Sequence, residues 1–167
     1  MSKRLVVLAA TTAAALTLSG CALGFDAGTN VKVIPGNGAS VNLDGLQIRG
    51  AGLVIDKANP TNATFIGTVI NKGEADFSVV GISGSAVTEA GTVNVPVAKG
   101  SIVQFGYEST NTISLTGDFT PGTWVDVQLL LSGAKPVDLK VMVNLNEGVY
   151  ADVVVTPAVV PSASPSA

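Results

Sequence analysis

The sequence predicts an all-β domain built as an antiparallel β-sandwich, and three observations carry that expectation. Apolar residues in the clearest segments recur with period two, as in strands that bury one face. No window of ten or more residues shows a clean helical stripe. Short β-branched runs follow one another with turn signals about every eight to twelve residues, the rhythm of a sandwich.

Each element follows from its own residues. Leu46–Ile55 reads as a strand interrupted at Gly50. Its Arg49-Gly50-Ala51-Gly52 lacks the third glycine and the following helix of a phosphate loop, so a bulge or strand break is expected there. Thr64–Ile70 and Phe77–Ile82 are β-branched and aromatic runs joined by the turn Asn71-Lys72-Gly73-Glu74, whose glycine is able to take a positive φ. Val93–Val97, Ser101–Phe105 and Thr112–Leu115 are shorter strands. Trp124–Leu131 sets Val125, Val127, Leu129 and Leu131 on one face, with Asp126 and Gln128 on the other. Leu139, Val141, Val143 and Leu145 alternate in the same way with Asp138, Lys140, Met142 and Asn144. Val149–Val155 is the last expected strand, and Pro60, Pro96, Pro121 and Pro136 punctuate the series.

The two ends of the chain read differently. Residues 1–20 have the form of an export signal: Lys3 and Arg4, then an apolar stretch from Leu5 to Leu18 that ends in small residues. The stretch is shorter than the roughly 20 apolar residues that a membrane-spanning helix needs. Leu18-Ser19-Gly20-Cys21 looks like a bacterial lipobox, whose cysteine thiolate is the nucleophile that accepts a diacylglyceryl group before cleavage on its amino side. A covalent lipid on Cys21, and with it attachment to the outer face of the cell membrane, is the expectation. Residues 21–30 form the lipidated cysteine and a tether, residues 31–156 the sandwich domain, and residues 157–167 a Pro/Ser/Ala tail whose composition predicts disorder.

Composition excludes much chemistry. The 167 residues contain no histidine and one cysteine, which removes Ser-His-Asp and Cys-His catalytic units, His-ligated metals, an intrachain disulfide and thiolate zinc sites. The formal charge is −3; removal of Lys3 and Arg4 from nine basic residues leaves seven against twelve acidic, a formal −5. Such a chain offers no basic patch to nucleic acid and is repelled by anionic headgroups, so the anchor alone is expected to hold it at the membrane.

The order of segments resembles the periplasmic copper chaperone family PCuAC and its actinobacterial lipoprotein relatives. The resemblance is carried by residues 65–74 followed by Val80-Gly81-Ile82-Ser83, then by Val95-Pro96-Val97-Ala98-Lys99-Gly100 and Ile113-Ser114-Leu115-Thr116-Gly117. Pro121-Gly122-Thr123-Trp124-Val125-Asp126-Val127, Ser132-Gly133-Ala134 and Val137–Val143 match the closing strands. It spans Leu46 to Val143 and implies a cupredoxin-like or immunoglobulin-like sandwich. Copper ligation in that family uses an early His and Met and a later His-x-Met, because thioethers and imidazoles suit Cu(I). The later position falls on Thr112-Ile113-Ser114, and the early segment, between Ser83 and Val93, has neither His nor Met. Met142 is the one methionine left after cleavage, so the expectation is the scaffold without its metal site or any cofactor beyond the lipid.

The remaining candidates have plain readings. Glu74 and Asp76, and likewise Glu147 and Asp152, suit solvated turn charges better than a glycosidase pair. Asp126, Asp138 and Glu147 lack the spacing of an EF-hand. Asn62-Ala63-Thr64 matches a glycosylation acceptor that a bacterial lipoprotein has no use for. Trp124 reads as core or rim packing, with ligand stacking as the alternative. Tyr107 and Glu108, in the loop Gly106–Asn111, are the candidate binding surface at the end of the sandwich. The function expected is a non-enzymatic binding or accessory module of the cell envelope with a protein partner; the alternative is copper handling with non-standard ligands.

Overall fold

The structure, a computed structural model, describes residues 38–107 and 109–159. The export signal, Cys21, the tether, Glu108 and residues 160–167 lie outside the described residues. Ten strands occur in chain order: β1 Ala39–Leu43, β2 Leu46–Ile55, β3 Asn62–Asn71, β4 Phe77–Gly84, β5 Val87–Ala90, β6 Val95–Val97, β7 Ile102–Phe105, β8 Ser114–Gly117, β9 Trp124–Ser132 and β10 Val137–Leu145. They form one sheet in the order β5-β8-β3-β2-β10-β9-β4-β6, with β1 added to β2 and β7 to β3.

The sheet curls until its inner faces meet. A single apolar cluster takes Ile48, Leu53 and Ile55 from β2, Phe65 and Val69 from β3, Val79 and Ile82 from β4, Phe105 from β7, Leu115 from β8, Leu129 from β9 and Val141 and Val143 from β10. This is the all-β, sandwich-like core that period two demands, and β9 and β10 alternate as their sequences predict: Val127, Leu129 and Leu131 are buried while Asp126, Gln128 and Ser132 are exposed. Eight of the nine strand pairings are antiparallel. The ninth, β2 with β10, is parallel and joins an early strand to the last one.

Two differences from the sequence reading have physical causes. Val149–Val155 is not a strand. It is a 3-10 turn over Gly148–Tyr150 followed by an irregular strap that side chains hold: Thr64 Oγ1 donates to the Val154 carbonyl at 2.9 Å and Asn146 Nδ2 to the Val153 carbonyl at 2.8 Å. Val153 packs beneath it with Val54 and Ile66 on the outer face of the sheet, so its apolar residues find burial without a ladder. The Ala158 amide donates to Thr116 Oγ1, continuing the strap along β8. Strands β1 and β5 were not expected; both have one ladder partner and are only partly buried, so they carry no apolar period.

The interruption in β2 is a bulge. Between Arg49 and Gly52 the register with β3 shifts by one residue, and Gly50 takes φ 60. The turn after β3 is held otherwise than expected: Gly73 is not at positive φ, and the Asn71 side chain accepts from the Gly73 amide instead.

Candidate functional site

Two long strands exchange partners at the same level of the sheet. Before the bulge Leu46 to Ile48 of β2 run beside Leu43 to Val41 of β1, and the register shifts before the Ala51–Ala39 pair; after it, Gly52 to Ile55 run beside β10. In β3, Asn62 to Thr64 pair with β8, and Gly67 to Ile70 pair with β7. The loop between β7 and β8 enters this seam. Gly106 lies at φ 73 against β3, where a Cβ would sit 2.6 Å from Ile66 Cγ2 and 2.8 Å from the Phe65 carbonyl oxygen. Only glycine lets the loop lie so close, and Tyr107 follows it directly.

A groove of about 250 Å³ opens at the seam, lined by Arg49, Gly50, Ile66, Gly67, Thr68, Gln104, Phe105, Tyr107, Val149 and Tyr150. Register places Arg49 beside Thr68 and Thr68 beside Gln104, one polar row across β2, β3 and β7. Tyr107 and Tyr150 pack against the outer cluster of Val54, Ile66 and Val153. Gln104 Nε2 donates to the Tyr107 carbonyl at 2.8 Å, and the Gln104 carbonyl accepts from Ser109 Oγ at 2.7 Å, which fixes the loop to the strand. Tyr107 lies on a concave surface. The partners Arg49, Thr68 and Tyr150 carried no signal of their own, since distant strands bring them together.

The segments that the resemblance assigns to metal ligation are also brought together. Ala90 of β5 faces Leu115 of β8, and the Gly91 amide donates to the Ser114 carbonyl at 2.8 Å. The residues there are Glu89, Thr92, Thr112, a buried Ile113 and Ser114, with no imidazole or thioether among them. Met142 sits on β10 between Gly52 and Trp124. Among the described residues no group of three His, Cys, Asp or Glu could hold a metal, and the two segments meet without His or Met.

The other candidates take ordinary roles. Lys99 ties Glu74 and Asp76 to one place: its Nζ pairs with Glu74 Oε2 and its amide donates to Asp76 Oδ1 at 2.7 Å. Glu147 pairs with Lys57 at 2.6 Å, and this hydrogen bond and charge raise the pKa of the exposed Lys57 above its ordinary value. Asp152 is exposed. Asp126 faces Lys140 and Asp138 faces Gln128, whose Nε2 donates to Asp138 Oδ1 at 2.7 Å, so Glu147 is not grouped with either carboxylate. The groove of about 630 Å³ that Asp126, Gln128, Asp138 and Lys140 share with Ser83 and Ser85 is a broad face along β4, β9 and β10. Trp124 is 50% exposed and therefore rim, not core. Asn62-Ala63-Thr64 is part of β3, with Thr64 buried.

No family model matches the chain, and no curated protein matches it. Solved structures do. The apo PCuAC domain from PmoF1 is similar with TM-score 0.57 at 13% identity, over 64% of this chain and 98% of that one. The copper-bound PCuAC domain from PmoF2 gives 0.56 at 14%, over 64% and 97%, and the apo PmoF2 PCuAC domain 0.55 at 13%, over 66% and 97%. Nearly the whole of each of these domains is matched, at identities that speak for the backbone alone. About two thirds of the chain thus builds a PCuAC-like fold.

Proposed function

We propose that this is a bacterial lipoprotein, acylated at Cys21 and held at the outer face of the cell membrane, whose β domain acts as a non-enzymatic binding or accessory module. The observation that carries the reading is a PCuAC-like fold in which the two expected ligand segments meet without histidine or methionine. One fold hosts many unrelated functions, so a scaffold without its metal residues is open to another kind of binding. The anchor rests on Leu18-Ser19-Gly20-Cys21 behind a charged and then apolar leader, with the tether of residues 21–30 carrying the domain and the Pro/Ser/Ala tail of residues 157–167 following it. Two or more acyl chains would make attachment stable, at about 0.8 kcal/mol per buried CH₂. The partner expected is another envelope protein, which cross-linking in intact membranes would capture.

Loss of the thiol tests the anchor. Cys21→Ser is expected to abolish palmitate incorporation and to move the protein into the soluble fraction; continued membrane association would refute it. A second reading, copper handling through non-standard ligands, is favoured by the copper-bound state of one structural neighbour. Cu(I) titration of Ala22–Ala167 against a competing chelator separates the two. The expected result is no stoichiometric complex, since one thioether cannot make a tight site. Stoichiometric binding in a nanomolar range, lost in Met142→Leu, would reverse the choice.

A further inference from the structure

We infer that the groove at the β2–β3 seam is a binding site for a single carboxylate group carried on a small ring or chain. Arg49 is the only arginine after the leader, and among the described residues its guanidinium is bound by neutral acceptors alone. Its Nη1 donates to the Val41 carbonyl at 3.1 Å and to the Ile48 carbonyl at 2.8 Å, and its Nη2 donates to Asn42 Oδ1. Those bonds anchor the side chain without neutralising it. No carboxylate among the described residues pairs with it, although acidic side chains outnumber basic ones in the chain. A guanidinium has five N–H donors, so two remain beyond these three bonds, and a carboxylate takes two.

The surroundings select the ligand. Thr68 adds a hydroxyl beside Arg49 in the same row, and none of the described residues lining the groove is acidic. Tyr107 and Tyr150 give it two amphipathic rings, which suit the flat or apolar part of a ligand. The volume, about 250 Å³, falls below the range of drug-sized pockets, roughly 300–1,000 Å³, and has room for one small unit. With no lysine in the groove and a single arginine, a monoanion is matched better than a phosphate dianion. Because the Arg49 geometry is set by β1 before any ligand arrives, little side-chain entropy is left to lose on binding.

The inference deepens the binding-module reading and rests on it. Its test is saturation-transfer difference NMR on the full chain in mild detergent, with benzoate and glucuronate as the two carboxylate probes. Benzyl alcohol, glucose and inorganic phosphate are the controls. At least one carboxylate is expected to bind saturably while its neutral counterpart does not. The tighter of the two shows whether the source is an aromatic acid or a sugar acid. Arg49→Gln is expected to weaken binding at least about tenfold, the effect of losing charge-assisted hydrogen bonds. Since Arg49 also anchors β1, Val149→Glu is measured beside it. Val149 is 68% exposed at the rim, so this variant keeps the fold and is expected to weaken binding similarly by placing a competing carboxylate in the groove. Binding of neither probe, equal binding of the neutral controls, tighter binding of phosphate, or unchanged binding in both variants would overturn the assignment. That outcome would leave partner cross-linking at the membrane untouched, so the two failures are distinguishable.

Discussion

Replacing Phe65 by alanine is expected to destabilise the domain by about 3–5 kcal/mol, the usual cost of removing a large aromatic side chain from a core that cannot collapse around the void. Phe65 is fully buried on β3, and its ring meets that of Phe105 on β7 edge to face, with centroids 6.0 Å apart and planes at 60°. The pair joins the strands where β3 exchanges β8 for β7, directly beneath the loop that carries Tyr107. Phe105→Ala should cost a comparable amount. The double variant should show a coupling of about 0.5–1.5 kcal/mol, the part of an aromatic pair that exceeds its buried area. Urea denaturation of the four proteins measures this; strictly additive losses would mean that the rings share a core without supporting each other.

Asn71→Ala is expected to cost about 2–4 kcal/mol, because it strands several backbone groups at once. Asn71 is 1% exposed, one of two buried polar side chains in the described domain. Its Nδ2 donates to the Ala75 carbonyl at 2.9 Å and to the Val97 carbonyl at 3.0 Å, while its Oδ1 accepts from the Gly73 amide at 3.0 Å. One side chain therefore closes the turn after β3 and ties it to β6. Asn71→Asp should be worse than Asn71→Ala at neutral pH. The carboxylate keeps the bond from Gly73 but can donate to neither carbonyl, and it brings a charge into a buried site. A variant within about 0.5 kcal/mol of the parent, the scatter typical of surface substitutions, would show that water replaces the amide.

Asn71 also marks the limit of reading from sequence. Within Asn71-Lys72-Gly73-Glu74 the glycine is the obvious turn residue, yet the asparagine does the work, because its acceptors lie on another strand. The same limit separates Arg49 from Tyr107. Tyr107 announced itself by a loop of glycine, serine and asparagine residues. Arg49 looked like an ordinary strand residue beside a bulge, and its partners Thr68 and Gln104 become neighbours only through register. The strap over Val149–Val155 reads as a strand in the sequence for a related reason. Valines bury equally well under a strap, and composition does not reveal whether their backbone finds a ladder or the side chains of Thr64 and Asn146.

What the sequence determined by itself is local or compositional. Period two in Trp124–Leu131 and Leu139–Leu145 states which side chains face the core, since alternation is a property of each strand alone. The absence of histidine excludes whole classes of chemistry wherever the chain goes. The tertiary structure decided which strands meet. It made β2 and β10 parallel, set the partner exchange of β2 and β3 at one level, and so opened the groove between Arg49 and Tyr107. Those outcomes depend on pairing between residues far apart in the chain, where the energy lies in joint burial and mutual hydrogen bonding rather than in any residue's own preference.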